Sequence, residues 1–205
     1  MRITAEKLGK RFNREWVFRN FDFTFDQGNT YAITGPNGSG KSTLLQILWG
    51  QLPQSSGLIK YELNGKEISV TEIFHHLSIA TPYMDLIDEF TLIEMVKFHF
   101  KFKKIRGIHS AEELITRMEL SHARDKHLSN FSSGMKQRLK LALAFYSDTS
   151  LVFLDEPSTN LDKKSTGWYM ENLLGLPKDC IVFIASNQEH EYPADSIKLD
   201  IIGYK

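Results

Sequence analysis

Residues 35 to 42 read Gly35-Pro36-Asn37-Gly38-Ser39-Gly40-Lys41-Ser42, and no other stretch limits the fold as tightly. Its small residues let the backbone curl until several N–H groups converge on one point, where the β- and γ-phosphates of a nucleotide can sit. Lys41 adds a positive charge there, and the Ser42 hydroxyl suits a Mg²⁺ bridging the same phosphates. The flanks agree. Thr30 to Thr34 predicts a buried strand, and Leu44 to Leu48 an apolar helix whose N-terminus faces the anion. The candidate cofactor-binding residues are therefore Gly35, Pro36, Asn37, Gly38, Ser39, Gly40, Lys41, Ser42 and Thr43.

The chain has 205 residues, enough for one substantial domain, with 41% hydrophobic and 24% charged residues. That composition is globular. Twenty-five basic residues balance 25 acidic ones, so no net charge argues for a nucleic-acid partner. The single cysteine, Cys180, lies in an apolar run and reads as a core hydrophobe. No disulfide can form within the chain, which fits a reducing compartment. The N-terminus carries no apolar signal region, and no stretch reaches the ~18 apolar residues of a membrane span. The expected location is cytoplasmic, peripheral to a membrane only through another protein.

Along the chain, residues 1 to 34 are β-rich, with Phe21 to Asp26 alternating aromatic and polar. Short strands continue from 58 to 81, broken by the hairpin dipeptide Asn64-Gly65. From about 91 to 120 the pattern turns helical. Thr91-x-x-Glu94 and Ser110-x-x-Glu113 both read as capping boxes. A helix over 134 to 146 should turn Met135, Leu139, Ala142, Leu143 and Tyr146 inward. Leu151–Leu154 and Ile181–Ala185 suit strands buried on both faces of a parallel sheet, and Asp162 should cap a helix running toward Leu174. Lys97 to Arg106 mixes basic and aromatic residues. Nucleic-acid stacking is one reading; a helix end with solvated lysines and inward aromatics is the better one.

Two further segments carry chemistry. Leu151 to Glu156 is an apolar strand ending in two carboxylates, at the end of the strand where α/β sheets bind ligands. Asp155 would support Mg²⁺, and Glu156 would take a proton from a water attacking the γ-phosphate. Phe131 to Arg138 is a small-residue turn opening a helix. Ser132 can offer a hydroxyl to a phosphate, and Gly134 permits close backbone approach. One chain thus has two phosphate-seeking surfaces, the second resembling half a site.

Together these segments make the chain similar to an ATP-binding-cassette (ABC) ATPase over essentially its whole length. Gly35 to Ser42 resembles the family's Walker A, Phe131 to Met135 its L-S-G-G-Q signature, Leu151 to Glu156 its Walker B with the catalytic glutamate, and Ser158 to Asp162 its D-loop. The resemblance implies a P-loop α/β core with a mainly parallel sheet, an antiparallel β-subdomain and a helical subdomain of about 84–135, in one domain over 1–205. It implies that Phe12 stacks on adenine. It also implies a head-to-tail dimer, with itself or a paralogous cassette, in which Ser132, Ser133 and Gly134 of one copy cover the ATP of the other.

Four positions in three motifs depart from the family pattern. The signature has Ser133 and Met135 where glycine and glutamine are usual. Tyr83 stands at the Q-loop glutamine, after the strand Leu77 to Thr81. Asn187 stands at the switch histidine, able to donate to the γ-phosphate but unable to carry charge; His190 follows shortly after. The function implied is the ATP-hydrolysing subunit of an ABC transporter, working through a separate membrane-spanning subunit. Compact cassettes of export systems, including the cytochrome-c-maturation type, look similar. The alternatives are a non-transport ABC protein and a slow, nucleotide-gated dimerisation module. Catalysis falls to Glu156, Lys41 and Asn187; metal support falls to Ser42 and Asp155.

Overall fold

In the computed structural model, which describes residues 1–205, nine strands and five α-helices follow in the order β1 (Arg2–Phe12), β2 (Glu15–Asp26), β3 (Thr30–Thr34), α1 (Lys41–Leu48), β4 (Ser56–Leu63), β5 (Lys66–Ile68), β6 (Leu77–Ala80), α2 (Leu92–His99), α3 (Ala111–Arg117), α4 (Ser133–Phe145), β7 (Leu151–Asp155), α5 (Lys163–Leu174), β8 (Ile181–Ala185) and β9 (Ile197–Asp200). They form two compact units. The first comprises Met1–Leu77, Thr149–Asp155 and Pro177–Lys205; the second comprises Ser78–Asp148 and Glu156–Leu176.

The first unit holds an antiparallel sheet, β2-β1-β4-β5, and parallel strands in the order β7-β8-β3-β9. In β2 the aromatic alternation works as expected: Phe21 and Phe25 are fully buried while Asp22 and Thr24 face water. The hairpin between β4 and β5 turns on Asn64 and Gly65, with φ of 52° and 76°, the paired positive values of a type I′ turn. All ten residues of β7 and β8 are buried. A strand covered on both faces cannot alternate, which is why these runs are apolar throughout. Phe153 of β7 stacks on Phe183 of β8 at 4.6 Å, and Phe183 meets Phe25 edge-on at 4.9 Å. Each such pair adds about 0.5–1.5 kcal/mol to the burial of its rings.

The parallel order places the C-terminal ends of β3, β7 and β8 side by side. Ile33 pairs with Ala185, and Ala185 with Asp155, so the phosphate loop, the Asp155 carboxylate and the turn carrying Asn187 all leave from one edge. Strand β9 ends at Asp200. Asp200 accepts from the Ile202 N–H at 3.0 Å and closes a 3₁₀ turn over Ile201–Tyr204.

The second unit is helical around a core that includes Leu92, Val96, Leu114, Met118, Leu128 and Leu139. It contains the segment 84–135 and extends beyond it on both sides. Thr91 and Glu94 form a complete capping box: the Glu94 N–H donates to Oγ1 at 3.4 Å, and the Thr91 N–H donates to Oε2 at 2.8 Å. Ser110 forms only half of one. It accepts from the Glu113 N–H at 3.0 Å, but the Glu113 carboxylate takes the His109 N–H, one residue too early. Asp162 caps α5 as expected, accepting from the Ser165 N–H at 2.7 Å.

In α4, Leu139, Ala142 and Leu143 are buried, whereas Met135 and Tyr146 at the helix ends are half-covered. The aromatics at the end of α2 and just beyond it divide. Phe98 and Phe100 are half-buried, but Phe102 is 72% exposed, because the helix ends at His99 and the chain turns outward.

Candidate functional site

The loop after β3 departs from extended geometry at three glycines. Gly35, Gly38 and Gly40 have φ of 136°, 75° and 108°. At Gly40, the N-cap of α1, a Cβ would also lie 2.4 Å from Cγ1 of Val17, so conformation and space both require glycine. The curl is closed by a Ser39 N–H bond to the Pro36 carbonyl at 3.1 Å. Lys41 opens α1 and is 5% exposed; its Nζ donates to the carbonyls of Gly35 at 2.9 Å and Pro36 at 3.2 Å. The ammonium is thereby held inside the ring of backbone that the glycines create. Ser42 and Thr43 follow in the first turn of α1, half-buried. This arrangement offers N–H donors, a helix N-terminus and a fixed cation to one anion, a fit for polyphosphate.

Asp155 ends β7 and is 3% exposed. With the Ser42 hydroxyl it offers hard oxygen donors, the type Mg²⁺ takes. No group of three or more His, Cys, Asp or Glu residues is set to hold a metal ion. A cation arriving on nucleotide phosphates needs only one or two protein ligands, so the donor set fits that mode rather than a resident metal.

Asn187 lies two residues past β8, exposed, and its Nδ2 donates to Oδ1 of Asn37 in the phosphate loop at 3.2 Å. The chain thus brings together two residues 150 positions apart. His190 sits in a following 3₁₀ turn and is exposed. Phe12 lies at the tip of the β1–β2 hairpin, 49% exposed, with the Lys10 ammonium 5.0 Å from its ring centre.

The remaining predicted residues belong to the second unit. Ser132 caps α4: its Oγ accepts from the Met135 N–H at 3.2 Å, which leaves the hydroxyl hydrogen to donate outward. Ser132 and Ser133 are exposed and border a groove of about 380 Å³ lined also by Arg138, Asn160 and Asp162. A Cβ on Gly134 would lie 2.9 Å from the Asn160 carbonyl oxygen. Glu156 has φ of 44°, a left-handed conformation unusual for a side-chain-bearing residue, and its carbonyl accepts from the Thr159 N–H at 3.1 Å. Tyr83 is 85% exposed.

Two residues that the motifs did not single out hold these loops. Gln137 is 4% exposed and donates to the Pro157 carbonyl at 2.8 Å, tying α4 to the turn after Glu156. Lys140, one turn on, donates to the carbonyls of Thr81 at 3.3 Å and Pro82 at 3.0 Å, directly before Tyr83. Burial pushes its ammonium below the usual lysine value, partly opposed by Asp85. Both are polar residues on the inward face of a helix, and that mismatch in periodicity was their only sequence signal.

Residues 18–159 match the model of the ABC transporter family. The cytochrome c biogenesis ATP-binding export protein CcmA of Mesorhizobium japonicum is 34% identical over 166 residues, covering 80% of this chain and 81% of that protein. An uncharacterized ABC transporter ATP-binding protein of Bacillus subtilis, YybJ, is 31% identical and covers 92% of this chain and 86% of its own length. Among solved structures, a dimeric ATP-binding cassette bound to ADP and Pi superposes with a TM-score of 0.75 at 22% identity, covering 91% of this chain and 88% of that one. At that identity the likeness concerns the fold.

Proposed function

This chain belongs to the ABC transporter family as an ATP-binding subunit, and on that premise we propose that it hydrolyses Mg-ATP only when a second cassette closes over the nucleotide. One observation carries the reading. The chain has one complete phosphate cradle, Gly35 to Thr43 with Lys41 turned into it, and a second helix N-terminus at Ser132–Gly134 with an outward-facing hydroxyl and no such cradle. A head-to-tail pair, of two copies or with a paralogous cassette, gives each half its complement.

In this reading Phe12 stacks on adenine. The loop N–H groups and Lys41 hold the β- and γ-phosphates. Ser42 and Asp155 would hold Mg²⁺, which when bound neutralises charge developing between those phosphates. Ser132 and Gly134 of the opposing copy approach the γ-phosphate, and Ser133 flanks them. Glu156 orients the attacking water and accepts its proton. Asn187 donates to the γ-phosphate. No helix of the chain is long and apolar enough to cross a membrane, so transport would pass through a separate membrane-spanning subunit, with the cassette on its cytoplasmic face. A slower, gating role is favoured by two observations, the neutral amide at Asn187 and the solvent-exposed Tyr83.

Phosphate release by the purified chain, measured against protein concentration with Mg²⁺ and with EDTA, tests the reading. Activity per chain should rise with concentration and vanish in EDTA. A constant rate per chain at concentrations where gel filtration gives only monomer would overturn it.

A further inference from the structure

The geometry points to Asn37 as a positioning residue that aims the Asn187 amide, so that this γ-phosphate contact needs no proton uptake. The inference rests on the nucleotide site proposed above and adds to it the link between two of its residues.

An amide NH₂ carries two hydrogens, and its carbonyl carries none. Left alone, an exposed asparagine side chain rotates among several orientations, some of which present oxygen to the phosphates. An oxygen facing a γ-phosphate is repelled. In this chain Asn187 Nδ2 donates to Asn37 Oδ1 at 3.2 Å. That bond uses one hydrogen and fixes which end of the amide faces the loop. The second hydrogen remains for an acceptor held by the loop, because Asn37 itself is part of it. Asn37 thus does for an amide what an acceptor on the far ring nitrogen does for an imidazole: it sets the direction of the donor.

The consequence is electrical as well as geometric. An imidazole donor at this position changes charge near pH 6.5, whereas the amide pair does not. The charged groups on the surrounding elements are Lys41 of the loop, Asp155 at the end of β7, Glu189, His190 and the buried Glu191 on the turn that follows Asn187, and Lys198 and Asp200 of β9, where Lys198 pairs with Glu189 at 3.1 Å and Asp200 lies opposite Thr34.

The test uses the full chain and compares Kd for ADP and for a non-hydrolysable ATP analogue by calorimetry, so no turnover is needed. Asn37→Ala and Asn187→Ala should each lower the preference for the analogue over ADP by roughly three- to tenfold, the size of one neutral hydrogen bond. Any loss of ADP affinity should be smaller than the loss for the analogue. The double variant should lose no more than either single one, since one contact is being removed twice. Asn187→His should make that preference change between pH 6 and pH 8 by at least threefold more than it does in the native chain. Additive losses, an equal loss for ADP and analogue, or an Asn187→His variant whose preference shifts between the two pH values no more than the native one would each overturn the inference. Failure of the native chain to bind either nucleotide would instead remove the site on which it rests.

Discussion

A Cβ added to Gly134 would lie 2.9 Å from the carbonyl oxygen of Asn160, so the first turn of α4 packs directly on the backbone of the loop before α5. Asn160 has φ of 65°, and the Leu161 N–H donates to the Ser158 carbonyl at 2.9 Å, which keeps that loop tight. In an open helix, glycine to alanine stabilises by about 1 kcal/mol. Here the backbone cannot yield as a flexible side chain would. Gly134→Ala should therefore destabilise, by ~1–3 kcal/mol, and should weaken ATP-driven dimerisation because Ser132 moves with the turn. Thermal unfolding and gel filtration with Mg-ATP read both effects; an unfolding temperature at or above that of the native chain would contradict the close packing.

Lys41→Ala should reduce ATP affinity on the order of 100-fold, the worth of two charge-assisted hydrogen bonds, while the fold survives. The ammonium is already desolvated, and two of its three hydrogens serve the Gly35 and Pro36 carbonyls, so binding two phosphate oxygens exchanges at least one of those bonds. Calorimetry with ATP measures the loss. A change below about threefold would mean that the loop binds through its backbone alone.

The loop, the buried strands and the helix caps were legible because each is a local pattern with a local cause. Asp162 caps α5, and Gly40 sits where φ is 108°, for reasons contained within a few residues. What the sequence did not announce had other causes. Phe102 is exposed because α2 stops at His99, which no periodicity announces. Glu113 bonds His109 instead of completing a box, a difference of one residue in register. The contact between Asn37 and Asn187 spans 150 positions and exists only because parallel β3 and β8 end together. Gln137 and Lys140 were hidden by chemistry: polar residues on an apolar face show that something is bonded, but not to what.

Glu156→Gln should bind ATP with native affinity, lower hydrolysis by roughly 10²- to 10⁴-fold, and accumulate a dimer on gel filtration with Mg-ATP. The amide keeps the shape of the carboxylate and loses its basicity. Glu156 is half-buried on a strained turn, so a near-isosteric change is the one least apt to disturb the loop. A variant that hydrolyses at the native rate would assign proton transfer elsewhere, and a monomer that persists under saturating ATP would count against the shared site.

His99 gives the second unit a pH dependence unrelated to nucleotide. Its Nε2 meets the Ser147 hydroxyl at 2.9 Å, and Ser147 is fully buried. Burial, helped by the nearby Lys103 charge, lowers the imidazole from 6.5 to about 4. Because the folded value is the lower one, the unfolded chain binds the extra proton between these limits, and stability falls as pH falls through that window. Above pH 6.5 the contribution is complete. At pH 5 the loss should reach up to ~2 kcal/mol, from the difference in proton binding integrated between the two states. Urea unfolding at pH 7.5 and pH 5 measures it, with His99→Gln as the control that keeps a hydrogen-bonding group and removes the titration. The difference between the two pH values should shrink by that amount in the variant. An unchanged difference would place the acid sensitivity in other groups.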